Sequence, residues 1–288
     1  MLTPQRLSVI ALVLVSCARA RPGDNDLVHF DDETKSQENR IILDSKLTEN
    51  NEIPASIPIN EKFPHAVLFG GVCGGSIISA NWIITAAHCT LFTSGGFILA
   101  GTNNSENDSG LLHRVKRLVI HPLFTVGPYW LDTKQFNLNQ IAARWDFLLA
   151  ELETPLPLNN KTIAVIPLDD QIRTPVGLDA GFAGYGTDRH GGIMSQIMHG
   201  RELSVQADDV CLKLEQYRSK DMICTKGRPP RYDFACNGDS GSGLVGGGKL
   251  LGVASWVEND SIECRNGNLV VFSRIASVRD WIRKVTNI

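Results

Sequence analysis

Apolar positions along this chain come in brief runs, and no run is long. Ala66–Phe69, Ser76–Ser79, Trp82–Thr85, Phe97–Ala100, Arg117–Ile120 and Phe147–Leu152 are short apolar, β-branched stretches separated by Gly, Asn and Pro clusters. Each predicts a strand. Ser242–Val245 and Leu250–Trp256 flank Gly246-Gly247-Gly248, which predicts a hairpin. Helical spacing arises near the carboxyl end, where Val278, Trp281, Ile282 and Val285 recur at i, i+3, i+4 and i+7. Many short strands punctuated by turns predict an all-β barrel or sandwich. No internal repeat is evident.

The amino-terminal region follows a different pattern. Arg6 precedes Leu7–Val15, apolar except for Ser8, and Ala18-Arg19-Ala20 follows with small residues where a signal peptidase reads. This predicts a secretory signal over residues 1–20, cleaved after Ala20, and a secreted, extracellular protein. Such a run cannot span roughly 30 Å of hydrocarbon at about 1.5 Å per residue, so no membrane anchor is expected. From Arg21 to about Glu61 the chain is polar, acidic and poor in aromatics, the composition of an exposed leader or linker.

Composition narrows the class. The 288 residues are 43% hydrophobic and 20% charged, which excludes wholesale disorder, collagen and coiled coil. A net charge of −3 gives no general attraction for nucleic acid or an anionic membrane. The 7 cysteines fall to six once Cys17 leaves with the signal. In an oxidising secretory route those six predict three disulfides, and sequence alone leaves 15 connectivities open. Zinc ligation by Cys73 and Cys89 is the rival reading, but no CxxC pair supports it. Asn103, Asn107, Asn160 and Asn259 head glycosylation sequons, which fit the same route. No metal and no cofactor is expected.

Three separated segments carry candidate chemistry: Thr85-Ala86-Ala87-His88-Cys89, Asp146-Phe147-Leu148-Leu149, and Cys236-Asn237-Gly238-Asp239-Ser240-Gly241. Singly, each has a bland reading as a structural histidine, a cap or a loop. Together, in the order His, Asp, Ser, they converge on one mechanism. A serine hydroxyl is a poor nucleophile at neutral pH and needs a neutral imidazole to take its proton. A buried carboxylate must hold that imidazole in the right tautomer. Gly238 lets the backbone turn tightly, so that two N–H groups can face a developing oxyanion.

On these residues the chain resembles the trypsin/chymotrypsin family of secreted serine proteases, from about Phe63 to the carboxyl terminus. Cys73-Gly74-Gly75-Ser76-Ile77-Ile78, Gly184-Tyr185-Gly186 and Val253-Ala254-Ser255-Trp256 extend the likeness. The resemblance implies an all-β, chymotrypsin-like fold of two six-stranded antiparallel β-barrels with a C-terminal helix. It implies His88 as general base, Asp146 as its orienter, Ser240 as nucleophile, and the Gly238 and Ser240 N–H groups as oxyanion hole. It implies the pairs Cys73–Cys89, Cys211–Cys224 and Cys236–Cys264, and Ser255 and Trp256 on the substrate-binding strand. Its partners are protein or peptide substrates, an activating protease and protein inhibitors. Asp132 is a rival to Asp146, lying 11 residues after His121, but Thr133-Lys134-Gln135 follows it where an apolar strand is wanted. Preferring Asp146 leaves a long insertion from about Thr125 to Arg144, either a loop bordering the substrate cleft or a solvated loop of no consequence.

The sequence departs from the family in three places. No Ile-Val-Gly-Gly exists; Arg40-Ile41 is the best activation site, so the expected division is 21–40 propeptide and 41–288 protease domain. The freed Ile41 amine would pair with Asp239, with about 11 extra residues looped out at modest closure cost. Ile53 is better spaced but follows Glu52, which trypsin-like activators do not cut. The pocket-floor position is Phe234, with Asp233 one residue off, and the wall positions are Val257 and Val270, where the family usually has Gly. Two β-branched walls predict a preference for small apolar residues before the scissile bond, since overpacking costs roughly 1–3 kcal/mol. Finally, Ser242-Gly243 replaces Gly-Pro after the nucleophile's Ser-Gly. Two functional classes follow: a serine endopeptidase made as a zymogen, or a protease-like homologue with little activity that binds or regulates.

Overall fold

The apolar runs become strands because each has one face to bury and a neighbour to pair with. A computed structural model describes residues 56–107, 109–127, 142–189, 191–258, 264 and 266–288, all within the unit Pro54–Ile288. After a short helix, α1 (Ile59–Lys62), come β1 (Ala66–Phe69), β2 (Cys73–Ser79), β3 (Trp82–Thr85), β4 (Phe97–Ala100) and β5 (Leu111–Ile120). The ribbon β6 (Thr125–Val126) and β7 (Ala143–Arg144) precedes β8 (Leu148–Leu152). Then follow β9 (Asp179–Gly184), β10 (His199–Val205), the short helix α2 (Asp208–Cys211), β11 (Met222–Gly227), β12 (Gly243–Gly246), β13 (Lys249–Val257), β14 (Leu269–Arg274) and helix α3 (Arg279–Thr286).

Two closed barrels result. The first runs β1-β2-β3-β8-β5-β4 and the second β10-β11-β14-β13-β12-β9, every pair antiparallel. Closure leaves no free edge on six strands whose inward side chains fill the lumen. Phe69, Ile77, Ile83, Ile84, Ile98, Phe147 and Leu149 fill the first core. Phe182, Leu203, Ile223, Leu244, Val270 and Phe272 fill the second, with the Phe182 and Phe272 rings edge-on at 5.9 Å. The expected hairpin is β12–β13, pairing Gly246 with Lys249.

The C-terminal helix forms where its spacing predicts. Ile282 is fully buried and packs, with Val278, against the first barrel's core, so the chain's end returns across both halves. Asn287 ends the helix in the left-handed region at φ 62, its N–H donating to the Arg283 carbonyl. The three disulfides join Cys73 to Cys89, Cys211 to Cys224 and Cys236 to Cys264, the pairing that the resemblance implies. Among the described residues no helix is long and apolar enough to cross a membrane.

Candidate active site

His88 is delivered by the end of β3. Thr85 closes that strand, and a single 3-10 turn, Ala87–Leu91, carries the histidine while Cys89 is tied back to Cys73 on β2. Asp146 stands just before β8. The chain enters through Trp145, held in the left-handed region at φ 51, which turns the aspartate inward. That conformation costs a non-glycine residue of order 1 kcal/mol. Trp145 offsets it by stacking on His121 at 5.4 Å, and His121 in turn packs edge-on against Trp281 of α3 at 4.8 Å.

The Asp146 carboxylate is wholly buried and accepts three hydrogen bonds. His88 N–H donates to Oδ1 at 2.8 Å, while His88 Nδ1 and Ser255 Oγ both meet Oδ2 at 2.6 Å. Burial alone pushes the His88 ring towards its neutral form. The charge of Asp146 and its hydrogen bond outweigh that, and the imidazole's pKa is raised above its ordinary 6.5. Ser255 was expected on the substrate strand; its hydroxyl is committed to Asp146, a link across 109 residues that no local motif encodes.

The serine loop is pinned from both barrels. Ser240's carbonyl accepts the Gly74 N–H at 2.7 Å, and Gly241 N–H donates to the Ala254 carbonyl at 2.8 Å. Gly74 adjoins Cys73, whose disulfide partner Cys89 adjoins His88, so His88 and Ser240 are brought to the same junction. Among the described residues, Ser240 Oγ and the Gly238 and Ser240 N–H groups have no protein hydrogen-bond partner. Gly241 has φ 82 and lies where any Cβ would collide with Thr85 Oγ1 and the Gly74 carbonyl; only glycine allows the barrels this close. Gly238, at φ 96, makes the turn before Ser240.

Beside Ser240, Asp239 is fully buried and accepts the Gly186 and Cys236 N–H groups, each at 3.0 Å. Burial outweighs those donors and raises its pKa to about 6. Asp233 is buried, accepting Glu202 N–H at 2.6 Å and pairing with Arg231. Phe234 is half-buried beneath the Arg201 guanidinium, 5.2 Å from its ring. Val257 and Val270 are directly paired across β13 and β14, Val270 fully buried beside Ala235 in the barrel core, with Trp256 buried next in line.

Several expected residues fall elsewhere. Ile41, Asn259, Asp132 and most of the long insertion lie outside the described residues; the insertion's two ends pair as the β6–β7 ribbon. Asn107 and Asn160 are exposed, and Asn103 is half-buried, its carbonyl accepting Met198 N–H. Among the described residues, no group of three His, Cys, Asp or Glu could hold a metal ion.

The Trypsin family model matches residues 50–282 of this chain. The chain belongs to the trypsin family of serine proteases. It is 61% identical to Scolexin B of Heliothis virescens over 281 residues, 96% of either chain. It is 30% identical to Trypsin zeta of Drosophila melanogaster, covering 74% of this chain and 73% of that one. Among solved structures, human heparin binding protein superposes with a TM-score of 0.62 at 27% identity, over 79% of this chain and 93% of that chain. Mouse neuropsin, described as a serine protease, matches in fold with a TM-score of 0.64 at 21% identity, over 80% and 97%. This trypsin-family chain is thus a hydrolase, a serine endopeptidase acting on protein substrates.

Proposed function

We propose that the protein is a secreted endopeptidase, made as a zymogen, that cleaves peptide bonds through His88, Asp146 and Ser240 with a preference for small apolar residues before the scissile bond. The observation that carries this reading is the threefold-bonded, wholly buried Asp146. A carboxylate so held fixes the imidazole ring with its proton on Nδ1, leaving Nε2 free to accept.

Ser240 Oγ attacks the substrate's carbonyl carbon as its proton passes to His88 Nε2. The negative charge that grows on the carbonyl oxygen faces the Gly238 and Ser240 N–H groups, each worth roughly 3–4 kcal/mol at such a site. The C–N bond then breaks, His88 returns the proton to the leaving amine, and an acyl-enzyme on Ser240 remains. Water repeats the sequence: its proton goes to His88, its oxygen to the acyl carbon, and Ser240 regains its hydrogen. Asp146 stays ionised throughout and stabilises the imidazolium formed twice per cycle.

Small apolar specificity is supported by the direct pairing of Val257 with Val270 across β13 and β14, which sets two branched residues side by side. Leader removal after Ala20 and activation between Arg40 and Ile41 complete the proposal; amino-terminal sequencing of the active form should begin at Ile41. The same narrow wall favours a second reading, a weakly active homologue that works by binding. A peptide-library profile of the processed protein separates them. Cleavage after small apolar residues supports the endopeptidase, efficient cleavage after Arg or Lys contradicts the pocket assignment, and no cleavage favours the binding protein.

A further inference from the structure

The turn before Ser240 is packed by a side chain from another loop. A Cβ on Gly238 would stand 2.9 Å from Met194 Cε, 3.0 Å from Met194 Cγ and 3.1 Å from Gly186 Cα. The thioether sulfur joins those two methionine carbons, so it lies against Gly238, in the notch between that residue and Gly186. Both glycines flank Asp239 contacts: Gly186 N–H donates to Asp239 Oδ1 at 3.0 Å, and Gly238 precedes Asp239 in the chain.

Backbone bonds bring Met194 to that notch. Ser195 N–H donates to the Tyr185 carbonyl at 2.9 Å, which ties the loop to the end of β9. Thr187 N–H donates to the Asn237 carbonyl at 2.8 Å, which ties the same stretch to the serine loop. Met194 also packs against the buried cluster of Phe63, Tyr185 and Met198. Just before it the chain is open to solvent, with Ile193 96% exposed and Gly191 at φ 67. Met194 thus reaches inward from the surface and is itself half-buried. Of the 4 methionines, Met1 leaves with the expected signal, and Met198 and Met222 are only 3% and 1% exposed. A peroxide in solution therefore meets the Met194 sulfur first.

We propose that Met194 is a positioning residue for the Gly238 N–H, and that oxidation of its sulfur is a modification that slows the site. This rests on the reading of Ser240 as nucleophile and Gly238 as oxyanion donor. A flexible, apolar thioether fills an irregular notch between two backbones that carry no side chains. In the modification, the sulfur takes one oxygen from hydrogen peroxide. The O–O bond breaks, an S–O bond forms, water leaves, and the two electrons lost by sulfur reduce the peroxide. The sulfoxide is polar and larger than the thioether. It either displaces Gly238 or withdraws from the notch, and in both cases the turn loses its packing. Reduction by a methionine sulfoxide reductase returns the thioether.

The test follows two readouts on the processed protein during titration with hydrogen peroxide: peptide mass mapping, and the rate at which a fluorophosphonate labels Ser240. One oxygen should appear on the peptide containing Met194 before any appears on Met198 or Met222. The maximal labelling rate should fall with it by roughly tenfold or more, with the probe's half-saturation little changed, and a sulfoxide reductase should restore it. Without oxidant, Met194→Ala should label about tenfold more slowly while still unfolding cooperatively, and Met194→Leu, close in volume, should label within about threefold of its parent and resist peroxide. Complete Met194 sulfoxide with unchanged labelling overturns the proposal. So does earlier oxidation of Met198 or Met222, a Met194→Ala protein that labels like its parent, or a Met194→Leu protein that peroxide inactivates as fast as wild type. Absence of label from the untreated processed wild type overturns the nucleophile assignment itself and this proposal with it.

Discussion

Replacing Asp146 by Asn tests the geometry most sharply, because the two side chains share a shape and differ in what they can accept. In the native site Oδ1 takes His88 N–H, and Oδ2 takes His88 Nδ1 and Ser255 Oγ. An amide has one acceptor to offer. With its oxygen at the Oδ2 place, its NH2 faces His88 N–H, two donors opposed in a buried site. Each such donor costs roughly 1–3 kcal/mol, so this arrangement lies about 2–6 kcal/mol uphill. With its NH2 at the Oδ2 place, the Ser255 hydroxyl can rotate to accept, but Nδ1 must then accept as well. The ring proton moves to Nε2, and the imidazole can no longer take a proton from Ser240. At 1.36 kcal/mol per tenfold, the productive tautomer falls by about 30-fold to about 10⁴-fold, and kcat with it. The ring's own titration should move too. Asp146 now holds the His88 pKa above 6.5 against burial. Its contribution to stability is therefore full below about pH 6.5 and is lost as pH rises through the raised value. Without the carboxylate, burial acts alone and the pKa falls below 6.5. Steady-state kinetics from about pH 5 to 9 and imidazole NMR read both effects. An Asp146→Asn enzyme within about threefold of wild type, or with its acid limb still above 6.5, contradicts this account.

Other outcomes follow from the same contacts. Val257→Gly, which clears one wall of the expected pocket, should raise kcat/KM for large apolar residues before the scissile bond by roughly tenfold, relieving about 1–3 kcal/mol of overpacking; an unchanged peptide-library profile would place the wall elsewhere. Replacing both Cys73 and Cys89 by Ala opens the loop that pins the His88 turn and should cost about 3 kcal/mol. In a domain of this size that lowers Tm by roughly 6–12 °C by calorimetry; a change of under about 2 °C would show that the barrel alone holds the turn. Gly186→Ala puts a methyl group into the Asp239 carboxylate and should abolish probe labelling at Ser240 while leaving a folded protein by circular dichroism.

The first barrel is more legible in the sequence than the second, and the reason is chemical. Trp82–Thr85, Phe97–Ala100 and Ala66–Phe69 are apolar or β-branched and form strands with those bounds. The strand at Asp179–Gly184 is built of Gly and Ala because it lies close against other backbone and the Asp239 loop, and β10 is polar because its face carries His199 and Arg201 inward. Neither presents the alternation that marks a half-buried strand. The candidate site divides the same way. His88, Asp146 and Ser240 stand in short motifs that local reading finds. The Ser255 bond to Asp146 joins residues far apart in the chain, and only the folded barrels bring them together.

The most direct measurement of the central claim is the site of covalent attack. The processed protein, incubated with a fluorophosphonate and digested, should carry one adduct, on the peptide containing Ser240, and His88→Ala should slow its formation by at least about a hundredfold. An adduct on another residue, or labelling of Ser240 at the same rate without His88, would contradict it.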